Sequence, residues 1–126
     1  MDRPDYTTPE ATVHITDRNG IRVGEVVGEI DVSNAHLVLD ILRNASDGQL
    51  AFILSLENCG FCDSHGLSAL IALGRQFGRT MVIALPQTSM LRKVFTTMAI
   101  EKIIRIEDSV DLAYERLTGR ETVPAW

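Results

Sequence analysis

The chain has 126 residues, 45% hydrophobic and 23% charged, with 17 acidic against 12 basic side chains and a net charge of −5. That length suits one domain with a single core, and the composition excludes wholesale disorder. The acidic balance argues against a general binder of nucleic acid or anionic membrane, and no apolar run reaches the ~18 residues of a bilayer-spanning helix.

Residues 1–10, rich in Asp, Thr and Pro, read as a mobile tail without the basic-then-apolar pattern of a leader. From Ala11 the pattern changes. Thr12, His14 and Thr16 alternate with Val13 and Ile15, the period of a strand with one buried face. Asn19-Gly20 suits a tight hairpin turn, and Ile21 to Ile30 is the returning strand, with a bulge or bend expected at Gly24 or Gly28. Ser33 and Asn34 are helix-capping types ahead of a stripe of Leu37, Val38, Ile41, Leu42 and Ala45, stopped by Asp47-Gly48.

Leu50 to Leu56 is short and nearly all apolar, as in a strand covered on both faces. Leu67, Leu70, Ile71 and Phe77 predict a second helix ending near Gly78, and Met81 to Leu85 a further buried strand. Leu91, Val94, Phe95 and Met98 predict a third helix. A short strand follows through Ile103, Ile104 and Ile106. The last helix has Asp108 or Ser109 as cap, Val110, Ala113, Tyr114 and Leu117 as its stripe, and Gly119 as stop. The order ββαβαβαβα implies an α/β domain over 11–119, a mixed or largely parallel sheet with helices packed on it, and a tail over 120–126 in which Trp126 is incidental. Two cysteines do not make a disulfide framework, so a soluble cytoplasmic domain is expected.

The chemistry concentrates in Leu56 to Leu67, LENCGFCDSHGL, between the most buried strand and the second helix. Ligands and partners of open α/β sheets are met at such carboxyl ends of strands. Asp63 and Ser64 stand where a helix cap belongs, and a helix N-terminus has unpaired amides and a partial positive charge. Two readings are open. Asp63 or Ser64 simply caps the helix. Alternatively, Ser64 is an exposed hydroxyl to which a phosphate is added, bringing roughly −1.5 to −2 charges to a surface where a partner docks.

Gly28-Glu29-Ile30-Asp31, Cys62-Asp63-Ser64-His65-Gly66-Leu67, Leu91-Arg92-Lys93-Val94-Phe95 and Ile103-Ile104-Arg105-Ile106 together resemble the STAS domain over residues 11–118, and more narrowly the bacterial anti-sigma factor antagonists. The resemblance implies a STAS fold and partner switching. An unphosphorylated antagonist binds an anti-sigma factor that is itself a serine kinase, freeing the sigma factor. Phosphorylation releases the antagonist, and a serine phosphatase resets it. Carried over, Ser64 is the acceptor and Asp63 its flanking acid. Gly66 allows close approach at the first helical turn, and Gly28, Glu29 and Asp31 form the neighbouring part of a partner surface that also takes in His65 and Leu67. ATP and Mg²⁺ would belong to the kinase, so the chain is expected to be no enzyme and to carry no cofactor.

The chain departs from the family at His65, where Ser or Thr is usual, and at Cys59-Gly60-Phe61-Cys62. An imidazole at 65 either bonds a phosphate or partner, or is solvated. C-x-x-C before a helix is also the arrangement of thiol redox proteins, in which the helix end lowers a thiol pKa. Buried structural cysteines are the plainer reading, and a disulfide that rearranges the Ser64 loop is a further one. Cys59, Cys62 and His65 fall short of the four ligands of structural zinc, and nothing certain brings His36 near. Adjacent Asp63, Ser64 and His65 cannot form a hydrolase relay. Arg92 and Lys93 are a solvated face or part of the partner surface. The alternatives are a STAS subunit of another regulatory or lipid-transport complex without phosphorylation, and a thiol redox protein using Cys59 and Cys62.

Overall fold

Strand β1 (Asp5–Thr8) opens the computed structural model, which describes residues 5–119, and pairs antiparallel with β2 (Ala11–Arg18) from Asp5 opposite His14 to Thr8 opposite Ala11. The mobile tail expected over 1–10 therefore gives way to a strand at 5–8. Three of its four side chains are exposed, so it is a polar edge strand held by its backbone ladder rather than by apolar burial. Residues 1–4, and the tail expected over 120–126 with Trp126, lie outside the described residues.

The hairpin forms as expected. β2 pairs antiparallel with β3 (Ile21–Ile30), and Asn19 and Gly20 turn between them at φ of 47° and 89°. Then follow α1 (Ala35–Ser46), β4 (Phe52–Ser55), β5 (Cys59–Cys62), α2 (Ser64–Phe77), β6 (Met81–Ala84), α3 (Met90–Thr97), β7 (Arg105–Glu107) and α4 (Val110–Thr118). The observed order is βββαββαβαβα, so the expected ββαβαβαβα lacked β1 and β5. One mixed sheet runs β1-β2-β3-β4-β6-β7, antiparallel to β3 and parallel beyond it, and β5 also pairs with β3. The α/β class with helices packed on a mixed sheet is as the sequence implied.

The continuous apolar runs are explained by two cores. Along β4 and β6, Phe52, Leu54, Met81 and Ile83 enter the larger core with Val38, Leu42, Leu70 and Leu73 of α1 and α2. Ile53, Val82 and Ala84 point the other way, onto Ala113 and Tyr114 of α4. Strands buried on both faces need no polar phase. In β2 only one face is covered, so His14 and Thr16 stay polar.

Two local expectations change. Asn34 precedes α1 but makes no capping bond. Its fully buried carboxamide accepts from the Asp31 amide and donates to the carbonyls of Glu29 (2.9 Å) and Pro9, stitching the helix start to the sheet. In α3, Leu91 and Phe95 are buried while Val94 and Met98 face outward with Met90, an apolar row at positions i, i+4 and i+8.

Candidate functional site

β3 is longer than either of its parallel partners. β4 pairs with its first half, Arg22–Glu25, and β5 takes Gly28, Glu29 and Ile30, with a register shift between Gly28 and Glu29. At the junction Gly28 has φ of 120°, and a Cβ there would overlap the Glu10 carbonyl. Its amide donates to the Asn58 carbonyl at 3.1 Å, and the Asn58 side chain donates to Glu25 at 3.0 Å. The C-x-x-C segment, expected to be a loop, is thus a strand on the last third of β3. It delivers Asp63 and Ser64 to the carboxyl end of the sheet.

Asp63 fastens that end. Its amide donates to the Ile30 carbonyl (3.0 Å). Its Oδ1 accepts from the amides of His65 (2.9 Å) and Gly66 (3.0 Å), and its Oδ2 accepts from the Val32 amide (3.1 Å). These bonds, that of Gly66 first, hold the carboxyl below its ordinary 3.8 against an opposing cost of burial. The cap is therefore Asp63, not Ser64. Ser64 is the first residue of α2, exposed, and its hydroxyl makes no hydrogen bond among the described residues. His65 is largely exposed, its Nδ1 3.8 Å from Asp63 Oδ2. At Gly66 a Cβ would meet Cys62 Sγ and Ile30 Cγ2 at 2.7 Å, so only glycine lets the first turn of α2 lie this close to β3 and β5.

The other expected partner residues divide. Asp31 accepts from the Ser33 amide (2.9 Å) and hydroxyl, and so shapes the 31–34 turn beside Asp63. Glu29 is half-buried and Gly28 is a backbone device. Leu67 is a correction. Only 6% exposed, it belongs to the core, because one helical turn beyond the cap its side chain points at the sheet. Two residues the sequence did not single out are exposed instead, Val32 (63%) in the 31–34 turn and Phe61 (49%) on β5. Phe61 lies between buried Cys59 and Cys62, and strict alternation from Cys59 would have placed it inside; the register shift between Gly28 and Glu29, which leaves Gly60 without a partner, changes the phase of β5 and turns Phe61 out.

Both thiols are free and buried. Burial pushes Cys59 up to about 11 and Cys62 up to about 12, which keeps them protonated, opposite to the lowered pKa of a redox thiol. They pack as small apolar residues of the main core. Among the described residues no three His, Cys, Asp or Glu side chains are placed to hold a metal ion. Arg92 is not a solvated residue, since only 12% of its side chain is exposed. Its Nη1 donates to the Leu85 carbonyl (2.6 Å) and to Asp108 (3.1 Å), tying α3 to the turn before α4, while Lys93 is exposed. His14 pairs through Nδ1 with Asp5 at 2.7 Å and helps seat β1. Among the described residues no helix is long and apolar enough to cross a membrane.

A ten-residue β3 with two successive parallel partners and an Asp-capped helix that presents a serine make up this end of the sheet. Residues 12–113 match the family model described as the STAS domain, and the chain belongs to that family. Among its relatives is the anti-sigma-F factor antagonist RsfB of Mycobacterium tuberculosis, 26% identical over 110 residues, which are 86% of this chain and 88% of that protein. An anti-sigma factor antagonist from Mycobacterium paratuberculosis has the same fold, with a TM-score of 0.78 at 21% identity over 93% of this chain and 98% of that one. So does the antagonist SpoIIAA in its unphosphorylated form, with a TM-score of 0.66 at 19% identity over 86% and 97%.

Proposed function

We propose that this chain is an anti-sigma factor antagonist. It binds a cognate anti-sigma factor serine kinase through the surface around Ser64, frees the sigma factor, and is switched off when that serine is phosphorylated. A serine phosphatase restores it, in the cytoplasm. The observation that carries the reading is the Ser64 hydroxyl, exposed and, among the described residues, unbonded in the first turn of α2 beside a carboxylate that already occupies the nearest amides.

The physical consequence is specific. A phosphate at a helix N-terminus is ordinarily absorbed by free amides. Here Asp63 holds those of His65 and Gly66, so the phosphate projects outward beside a second anion. The added charge acts on whatever covers Val32, Phe61 and His65, through repulsion and through the cost of burying it. No cofactor is needed on this chain, because the kinase supplies ATP and Mg²⁺.

Capture of the partner from source cells, followed by incubation with ATP and mass spectrometry, tests this. The expected product carries one phosphate, on Ser64. Ser64→Ala keeps kinase binding and Ser64→Asp loses at least about tenfold in affinity. A captured partner without kinase activity points to a STAS subunit of another assembly. Equal binding by Ser64→Asp and wild type overturns the switch.

A further inference from the structure

On the α4 side of the sheet, α4 lies over β4 and β6 and leaves part of β2 and β3 uncovered. Val13 and Ile15 of β2 enter the larger core, so His14 and Thr16 emerge on this second face, as does Glu25 two residues after Val23. Between these side chains and the first turn of α4 lies a groove of about 360 Å³. Ser55, the last residue of β4, lines it. Ser55 is 2% exposed, and its hydroxyl is the only buried side-chain polar atom without a partner among the described residues. Its neighbours in register are Glu25 on β3 and Ala84 on β6, and alanine has nothing to offer a hydroxyl. Among the described residues, a fold that satisfies its other buried polar side-chain atoms leaves this one without a partner in the wall of the groove.

The charges around the groove decide what fits. Arg18 is neutralised by Asp111 and lies 5.0 Å over the Tyr114 ring, and His14 is paired with Asp5. Glu25 and Glu57, by contrast, have only neutral partners among the described residues, the Asn58 carboxamide at 3.0 Å and the Val110 amide at 3.1 Å. The start of α4 is closed to anions, because Glu57 and the Ser109 hydroxyl already take the amides of Val110 and Leu112. The acids here do not converge as a metal site, so the complementary ligand is organic. We propose that this groove binds a small organic cation bearing a primary ammonium and a hydroxyl. The ammonium lies on the Glu25 and Glu57 side, the carbon chain against Val23 and Val110, and the hydroxyl meets Ser55. The site is independent of the Ser64 switch.

Titration of the full chain with 2-aminoethanol, ethylamine and inorganic phosphate, read by amide chemical shifts, tests the site. Both amines should shift Ser55, Glu57 and Val110 saturably, with 2-aminoethanol the tighter, and phosphate should not. The double variant Glu25→Gln, Glu57→Gln keeps an acceptor oxygen for Asn58 and for Val110, so it should fold, and should bind either amine about tenfold more weakly. Ser55→Ala should bind the two amines equally. Unsaturable shifts spread over the acidic surface, undiminished binding by the double variant, or phosphate moving the same amides would each overturn the proposal.

Discussion

At Asp63, one carboxylate accepts three backbone amides from two segments that are far apart in sequence, the 31–34 turn and the start of α2. Its charge is therefore part of the fold. The folded chain holds this carboxyl below its ordinary 3.8, so the unfolded chain takes up the proton first as the pH falls. The stability contributed is complete above that value and is lost as pH drops through the folded one. Denaturation midpoints measured from about pH 6 down to about pH 3 should fall for wild type. Asp63→Asn keeps an acceptor but has no proton to gain. It should start lower at the upper pH and show a flatter slope, and parallel slopes would refute the assignment. At the same turn, Gly66→Ala runs against helix propensity. Alanine gains about 1 kcal/mol in an open helix, but here its methyl meets Cys62 Sγ, Ile30 Cγ2 and, at 3.0 Å, the Ile30 carbonyl. The net effect should be a loss of about 1–3 kcal/mol. Cys62→Ala in the same chain should recover part of it. A thermal midpoint equal to or above that of wild type in the single variant would show that the turn can shift outward.

Strand β5 is the element on which the site depends, and local sequence hides it. Cys-Gly-Phe-Cys is four residues with a glycine, too short for a period to show, and it pairs only because β3 runs past the end of β4 and leaves its last residues open. A ten-residue strand beside a seven-residue apolar run was the one available sign of a missing partner. β1 was hidden for a related reason, since its polar side chains carry no pattern and its stability comes from the ladder with β2. What was legible was periodic or capping. The doubly buried β4 and β6, the stripe of α4, that of α1 except for Leu37, which is exposed, and Asp63 ahead of α2 all announce themselves within a few residues. Asn34, Val32 and Leu67 did not, because where a turn residue points depends on the segment packed against it. The cysteines test β5 directly. Their folded values of about 11 and about 12 lie above the ordinary 9.0, so the folded chain keeps its thiol protons where the unfolded chain loses them. Their contribution is complete below pH 9.0 and fades as pH rises from there through the folded values. At about pH 8 a thiol reagent should react with native protein far more slowly than with unfolded protein, at a rate set by opening of the strand. Fast labelling of the native chain would mean that β5 frays, and would restore the redox reading of Cys59 and Cys62.

For the whole molecule, the question is whether the proposed phosphorylation of Ser64 would act on folding or on association. The chain already carries a net charge of −5, and a phosphate adds roughly −1.5 to −2 more. Three features argue that the fold absorbs this. The Ser64 side chain is exposed, its hydroxyl supports no internal bond, and the first turn of a helix favours an acid by about 0.3–1 kcal/mol. Repulsion from Asp63 opposes that gain and is screened by solvent. The terms nearly cancel, so Ser64→Asp should unfold within about 0.5 kcal/mol of wild type. Its amide spectrum should change only near the start of α2 and the 31–34 turn. Binding is a different matter in the proposed switch, because a partner covering exposed Val32 and Phe61 would have to desolvate the new charge beside Asp63. Stability and affinity should therefore separate: unchanged denaturation curves, with the loss of affinity appearing as faster dissociation. If Ser64→Asp instead lowers stability by several kcal/mol, or exposes the β5 thiols to reagent, the phosphate works by prising β5 from β3. The partner would then be reading the state of that strand rather than the charge on its surface.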